Sequence, residues 1–170
     1  TIAGANIGGS GGLFRVTGSA TLNGATLSRS LDVGSLSSNV SLTITNGLTL
    51  DQASDEALTL FSATGGFTNH DALRFNTGTL GGTGTVALTP GANATNQRIF
   101  VNNNQTLTIG SGVTVKTKDV GAGSTTTITS GANGTVLNQG TISSETASRS
   151  LTISPTNFTN TGTVAAKNGG

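Results

Sequence analysis

The only histidine of the chain, His70, sits in the run Asn69-His70-Asp71. Acid–base catalysis or metal ligation would need convergent partners, and the chain holds no second histidine and no cysteine. Asp71 is adjacent and would point to the opposite side of a strand, so the pair reads as a turn or surface position. The densest acidic group is Asp51, Asp55 and Glu56. Glycoside cleavage needs two carboxyl groups at a defined separation, one of them held protonated. The remaining acids, Asp32, Asp71, Asp119 and Glu145, are scattered, and Trp and Tyr are absent, so no aromatic platform for sugar accompanies the group. It reads as a solvated loop. The glycine- and aspartate-rich nonapeptide of calcium-binding solenoids is also missing. No catalytic, cofactor-binding or metal residue is assigned on this reading, and no enzymatic activity is expected.

Other motifs dissolve on inspection. Gly81-Gly-Thr-Gly84 has the glycines of a phosphate loop, but no lysine follows and no helix opens there. Asn-x-Ser/Thr sequons begin at Asn39, Asn93, Asn104, Asn133 and Asn157. In a chain this rich in Ser and Thr that number is what chance supplies, so it does not argue for glycosylation. The triplets Thr43/Thr45, Thr106/Thr108 and Thr127/Thr129 could form flat hydroxyl arrays of the ice-binding kind only if they lay on one face in every coil. They skip coils, and read as a Thr-rich solvent face.

The elements that would carry these residues are short strands. Leu, Ile, Val and Phe make up about 24% of the 170 residues, above the roughly 20% floor of disordered compositions. Charged residues are only 9% and the net charge is +1, which gives no electrostatic reason to expect nucleic acid or an anionic membrane. The polar remainder is Gly, Thr, Ser and Asn: pleated backbone for Thr, tight turns for Gly and Asn. Apolar residues alternate at Leu42/Ile44, Leu48/Leu50, Leu73/Phe75, Val86/Leu88, Ile99/Val101, Leu107/Ile109 and Val113/Val115, the period of half-buried strands. Breaks such as Thr45-Asn46-Gly47, Gly110-Ser111-Gly112 and Gly131-Ala132-Asn133-Gly134 hold turn residues. No apolar run approaches the roughly 20 residues of a membrane span, and no charged-then-apolar signal segment opens the chain.

The chain also repeats itself. Asn138-Gln139-Gly140-Thr141-Ile142 recurs as Asn160-Thr161-Gly162-Thr163-Val164 after 22 residues, with Val136 matching Phe158. Residues 41–50 match residues 106–115 at an offset of 65, and Leu107-Thr108-Ile109 returns as Leu151-Thr152-Ile153 after 44. Thr127-Ile128 lies off this grid, 19 residues past Thr108-Ile109. Recurrence near multiples of 22 predicts an all-β fold, a right-handed parallel β-helix (β-solenoid) with coils of about 22 residues, rather than a β-sandwich. Residues 1–170 then form one domain, of about seven coils and on the order of 35 Å long at the inter-strand spacing. Residues 1–15 read as an irregular first coil or cap. Leu107, Ile109, Val113, Val115, Val136, Ile142, Leu151, Ile153 and Phe158 are predicted inside one core, with Asn138 stacked on Asn160 as an amide ladder. Residues 51–58 read as a loop or a single helical turn capped by Ser54.

The phrases at 106–115 and at Phe158-Thr-Asn-Thr-Gly-Thr-Val164 resemble the repeats of bacterial autotransporter passengers and filamentous-haemagglutinin-like adhesins, over roughly residues 36–165. The resemblance implies a right-handed β-helix, secretion across a Gram-negative outer membrane, an extracellular or cell-surface location, and a role in adhesion or as a stalk. The Asn-Pro-Asn-type motif of two-partner secretion is absent, so the resemblance does not name the secretion route. Open coil ends are unpaired strand edges, and neither terminus offers a helix or a charge cluster to cover them. The expected partners are therefore adjoining coils of a longer chain or the chain itself, end to end as a filament, with cell-surface glycans or proteins as ligands of an adhesive rod.

Overall fold

A computed structural model describes residues 1–9, 14–33, 40–61, 72–89, 97–118 and 126–170, without the side chains of residues 53–57, 59–61, 72 and 97. The first coil is β1 (Ile2–Ala3), β2 (Asn6–Ile7) and β3 (Phe14–Val16). The second is β4 (Ala20–Leu27) and β5 (Leu31–Val33), and the third is the single long strand β6 (Ser41–Phe61). The fourth is β7 (Ala72–Phe75) and β8 (Gly78–Thr89), and the fifth is β9 (Gln97–Val101), β10 (Thr106–Ile109) and β11 (Val113–Thr117). The sixth is β12 (Thr126–Ser130), β13 (Thr135–Asn138) and β14 (Thr141–Ser144). The seventh is β15 (Leu151–Ser154), β16 (Asn157–Asn160) and β17 (Thr163–Ala166). Every pairing among the described strands is parallel and joins one coil to the next. This is a β-solenoid, and the antiparallel sandwich is excluded.

Three faces follow from the register. Face 1 is the ladder β1–β4–β6–β7–β9–β12–β15. Face 2 runs β2–β4–β6–β8–β10–β13–β16, and face 3 runs β3–β5–β6–β8–β11–β14–β17. Strands β4, β6 and β8 bend at a corner and serve two or three faces each. Side chains of one column point inward together, so the core is a set of stacks. The cleanest is Phe14–Leu31–Leu58–Val86–Val115–Ile142–Val164 on face 3. On face 1 the stack is Ala20–Leu42–Leu73–Ile99–Ile128–Ile153.

The coil length corrects the sequence reading. An offset of 22 holds for the last coil, where Thr135 pairs with Asn157 and Thr141 with Thr163, and for Ala20 with Leu42. Elsewhere it runs from 17 between Phe14 and Leu31 to 32 between Leu48 and Leu80, about 26 on average. Much of the variation lies in the connections from face 3 to face 1, which occupy residues 62–71, 90–96 and 118–125 but only 145–150 before the last coil.

Residues 51–58 are the second correction. They are strand backbone with no helical turn. Asp51 pairs with Thr83 and Glu56 with Thr85, so five steps along β6 match two along β8. The extra residues are taken up as a bulge that keeps extended backbone and lets pairing resume at Leu58 with Val86. Of residues 1–15, read as an irregular first coil or cap, the described ones, with Val16, form the three short strands of a first coil joined in register to the second.

Corners are built by backbone that ordinary side chains resist. Asn46, Asn104 and Asn133 take left-handed φ of 56°, 57° and 56° between faces 1 and 2, a conformation asparagine tolerates. Between faces 2 and 3 the coils approach closely. A Cβ on Gly140 would stand 2.4 Å from the carbonyl oxygens of Gly110 and Val113, and one on Gly162 would stand 2.2 Å from that of Gly140. Amide side chains bridge coils at the corners between faces 1 and 2: Asn46 Nδ2 donates to Asn23 Oδ1 at 2.8 Å, Asn102 to Asn76 at 2.6 Å, and Asn133 to Asn104 at 3.0 Å. The expected Asn138–Asn160 ladder is present at 2.7 Å.

Of the predicted core, Leu107, Ile109, Val113, Val115, Val136 and Ile142 are buried. Leu151 and Ile153 are only partly buried, and Phe158 stacks beneath Val136 but is 39% exposed. All three lie in the seventh coil, which has a neighbour on one side only. Position in the stack thus decides what a side chain contributes. Phe75→Ala, in the fourth coil, is expected to cost about 3–5 kcal/mol, as for a fully buried aromatic. Phe158→Ala should cost well under half of that. Denaturant unfolding of the two variants checks this, and equal losses would contradict the stacking described here.

Candidate functional site

Of the acids weighed in the sequence, the three whose side chains are described, Asp32, Asp51 and Glu145, are not brought together. Asp51 is exposed at the corner after face 2 and accepts a hydrogen bond from Ser28 Oγ at 3.2 Å. Asp32 is buried on face 3 and pairs with Arg15, 3.4 Å away in the first coil. Glu145 lies between Lys116 at 3.9 Å and Lys167 at 3.7 Å, and accepts from Ser143 Oγ at 2.8 Å. The three acids therefore join coils to one another. Asp55 and Glu56 lie on the bulged stretch of β6, and their side chains are outside the description, as are His70, Asp71 and Asp119 entirely. Among the described residues no group of three His, Cys, Asp or Glu side chains could hold a metal ion.

The other motifs take structural places. Gly81–Gly84 belongs to β8, where the close approach of Leu50 leaves no room for a Cβ at Gly82. Of the sequon asparagines, Asn104 and Asn133 bond to each other at a corner, Asn157 is exposed on the last coil, and Asn39 and Asn93 lie outside the described residues. The Thr triplets do not share a face: Thr43/Thr45 and Thr127/Thr129 lie on face 1, in the third and sixth coils, and Thr106/Thr108 lies on face 2.

Two features remain as candidate sites. The first is the pair of rod ends. The large hydrophobic side chains exposed among the described residues are Ile2 (46%), Phe14 (46%), Phe158 (39%) and Val164 (49%), all on the first or seventh coil. Phe14 and Val164 are the two ends of the face 3 stack, whose five members between them are buried. Ile2, Phe14, Ile7, Val16 and Leu22 line a cavity of about 290 Å³ at the first coil.

The second feature lies on the outward side of face 1, and the sequence reading missed it. Leu73, Phe75, Ile99 and Val101 point inward and are fully buried, so Arg74, Arg98 and Phe100 point out. Register sets Arg74 directly beside Phe100. Both guanidinium groups lie over the phenyl ring, Arg74 Cζ at 5.0 Å and Arg98 Cζ at 4.9 Å from its centre. Among the described residues no carboxylate pairs with either arginine, whereas Arg15, Lys116 and Lys167 each have one. Arg98 Nε is shut off from solvent with no acceptor. Its guanidinium holds its proton less firmly than usual, first because of burial and then because of the charge on Arg74. The two distances put the charges no more than about 10 Å apart, so they repel by at least roughly 0.4 kcal/mol in bulk water and at least roughly 1.7 kcal/mol at an effective dielectric of 20. Two cation–π contacts of about 0.5–1 kcal/mol each offset that repulsion. The alternation of Arg98-Ile99-Phe100-Val101 gave the outward direction, but only the 26-residue offset between Arg74 and Phe100 brings the third member in.

Comparison with family models, with curated proteins and with solved structures finds no match to this chain. The site is therefore argued from its own geometry.

If the ring screens the two charges, Phe100→Leu should destabilise the protein by about 1–2 kcal/mol, the two cation–π contacts. Part of that loss should be recovered as salt is raised from about 0.01 M to 1 M, which shortens the screening length from about 30 Å to 3 Å. Thermal melts of both proteins across the salt series provide the check.

Proposed function

We propose that this chain is a structural or adhesive segment of a secreted bacterial surface protein: a stiff rod that displays its faces to solvent and catalyses nothing. The observation that carries the reading is the parallel stacking of each coil on the one before it, which makes a rod with a coil face at either end. Each end offers a row of backbone donors and acceptors together with a slice of core, and such a surface pairs with another coil. That partner is either the next coil of a longer polypeptide or the end of a second copy. A head-to-tail contact that does not close gives a filament. A net charge of +1 opposes neither arrangement. The extracellular location rests on the resemblance to autotransporter passengers and filamentous-haemagglutinin-like adhesins, and on a composition that reaches stability by repetition without cysteine.

The test is sedimentation of the 170-residue chain over a concentration series. Association that grows with concentration is expected, and Phe158→Lys with Val164→Lys should reduce it by placing two charges on one end. A chain that stays monomeric at high concentration, or that associates equally well with both lysines present, would defeat the reading.

A further inference from the structure

We propose that Arg74 and Arg98, held on Phe100, form a carboxylate-binding subsite for an acidic polysaccharide lying along the outward side of face 1. Two guanidinium groups on one ring, which no described residue meets with a carboxylate, are arranged for an anion that the described residues do not supply. Their forked donors match the two oxygens of a carboxylate. The shared aromatic ring limits the rotamers each must give up on binding, so less ordering remains to be done when the ligand arrives.

The surroundings favour a saccharide over an acidic peptide. Strands β7 and β9 are paired on both sides, β7 with β6 and β9, and β9 with β7 and β12. An extended peptide laid there finds no free backbone edge to extend. Hydroxyl groups it would find in plenty. Thr43 is the register partner of Arg74, Thr127 of Arg98 and Thr129 of Phe100, all pointing outward, and Thr152 and Ser154 continue the face on the seventh coil. A polyhydroxylated chain can hydrogen-bond along that row while its carboxylates meet the arginines. The inference deepens the adhesive reading by naming a ligand class. It does not depend on how the rod ends are used, so the sedimentation test and the binding test can fail separately.

The probe is alginate, a polyuronate, measured by calorimetry or affinity electrophoresis against neutral dextran and poly-glutamate. Alginate binding that weakens with salt is expected, with dextran unbound and poly-glutamate at least tenfold weaker. Arg98→Gln and Arg74→Gln should each weaken alginate binding at least tenfold. Arg98→Lys, which keeps the charge and spares the fold, should fall between. Arg29→Gln, at a separate corner against Gly9, should leave binding unchanged. Circular dichroism identifies any variant that fails to fold, and for such a variant the lysine substitution decides. No alginate binding by the parent chain would overturn the proposal. So would equal binding by the parent and the folded glutamine variants or, if none folds, by Arg98→Lys. Poly-glutamate bound as tightly as alginate would overturn the saccharide in favour of an acidic protein.

Discussion

Parallel pairing between successive coils is the interaction on which everything else in this molecule rests. Strands of two to five residues, such as β2 or β10, bury too little alone to stay ordered. Each becomes stable because its backbone groups and its inward side chains meet their equivalents in the coils before and after, as in other repeat architectures. Cooperativity therefore runs along the rod axis. The same fact makes the first and seventh coils different in kind from the five between them. Phe14 and Phe158 have the chemistry of core residues and the exposure of surface ones, because each lacks a neighbour on one side.

Stacking also governs what polar residues can do inside. The face 2 column runs Ala25–Leu48–Leu80–Ile109 and then changes to Asn138–Asn160. Asn138 is buried, and its Nδ2 donates to Asn160 Oδ1 at 2.7 Å, to the Thr163 carbonyl at 3.1 Å and to the Gly140 carbonyl at 3.4 Å. One amide thus ties the end of β13 to the corner that follows and to the next coil. No donor reaches Asn138 Oδ1. The cost of that unmet acceptor, about 1–3 kcal/mol, is set against hydrogen bonds that fix the register of the last two coils. At the far end of face 3, Leu88 pairs with Thr117 and, in the last two coils, Ser144 pairs with Ala166, the same change from large apolar to small or polar side chains.

Alternation and turn residues made the strands and the solenoid legible, and most predicted core positions followed. The coil length did not, for a physical reason. Corners on different faces are made from the same residues, so the unit that repeats in sequence is one strand with its corner. Residues 41–50 span the corner from face 1 to face 2, whereas their match at 106–115 spans the corner from face 2 to face 3. Leu107-Thr108-Ile109 lies on face 2 and its echo Leu151-Thr152-Ile153 on face 1. The 65- and 44-residue offsets therefore contain whole coils plus a fraction, and Thr127-Ile128, 19 residues from its match, fits once a face counts as the unit. The arginine pair on Phe100 was hidden for the same cause. Alternation says which way a side chain points, but neighbours across coils are known only when the register is.

That register also underlies the proposed carboxylate subsite, because it places Arg74 beside Phe100 and lines the face with hydroxyl groups. The chain has no cysteine, so paired substitutions can test it without background. Thr108 and Leu137 are register partners on the outward side of face 2. Strands about 4.8 Å apart set Cα atoms within the 4.4–6.8 Å range of a disulfide. Thr108→Cys with Leu137→Cys is predicted to close an intramolecular disulfide under mild oxidation, while Thr108→Cys with Ser130→Cys, at the 22-residue offset, stays reduced. Failure of the first pair with ready closure of the second would contradict the coil register, and with it the placement of every outward-facing group described above.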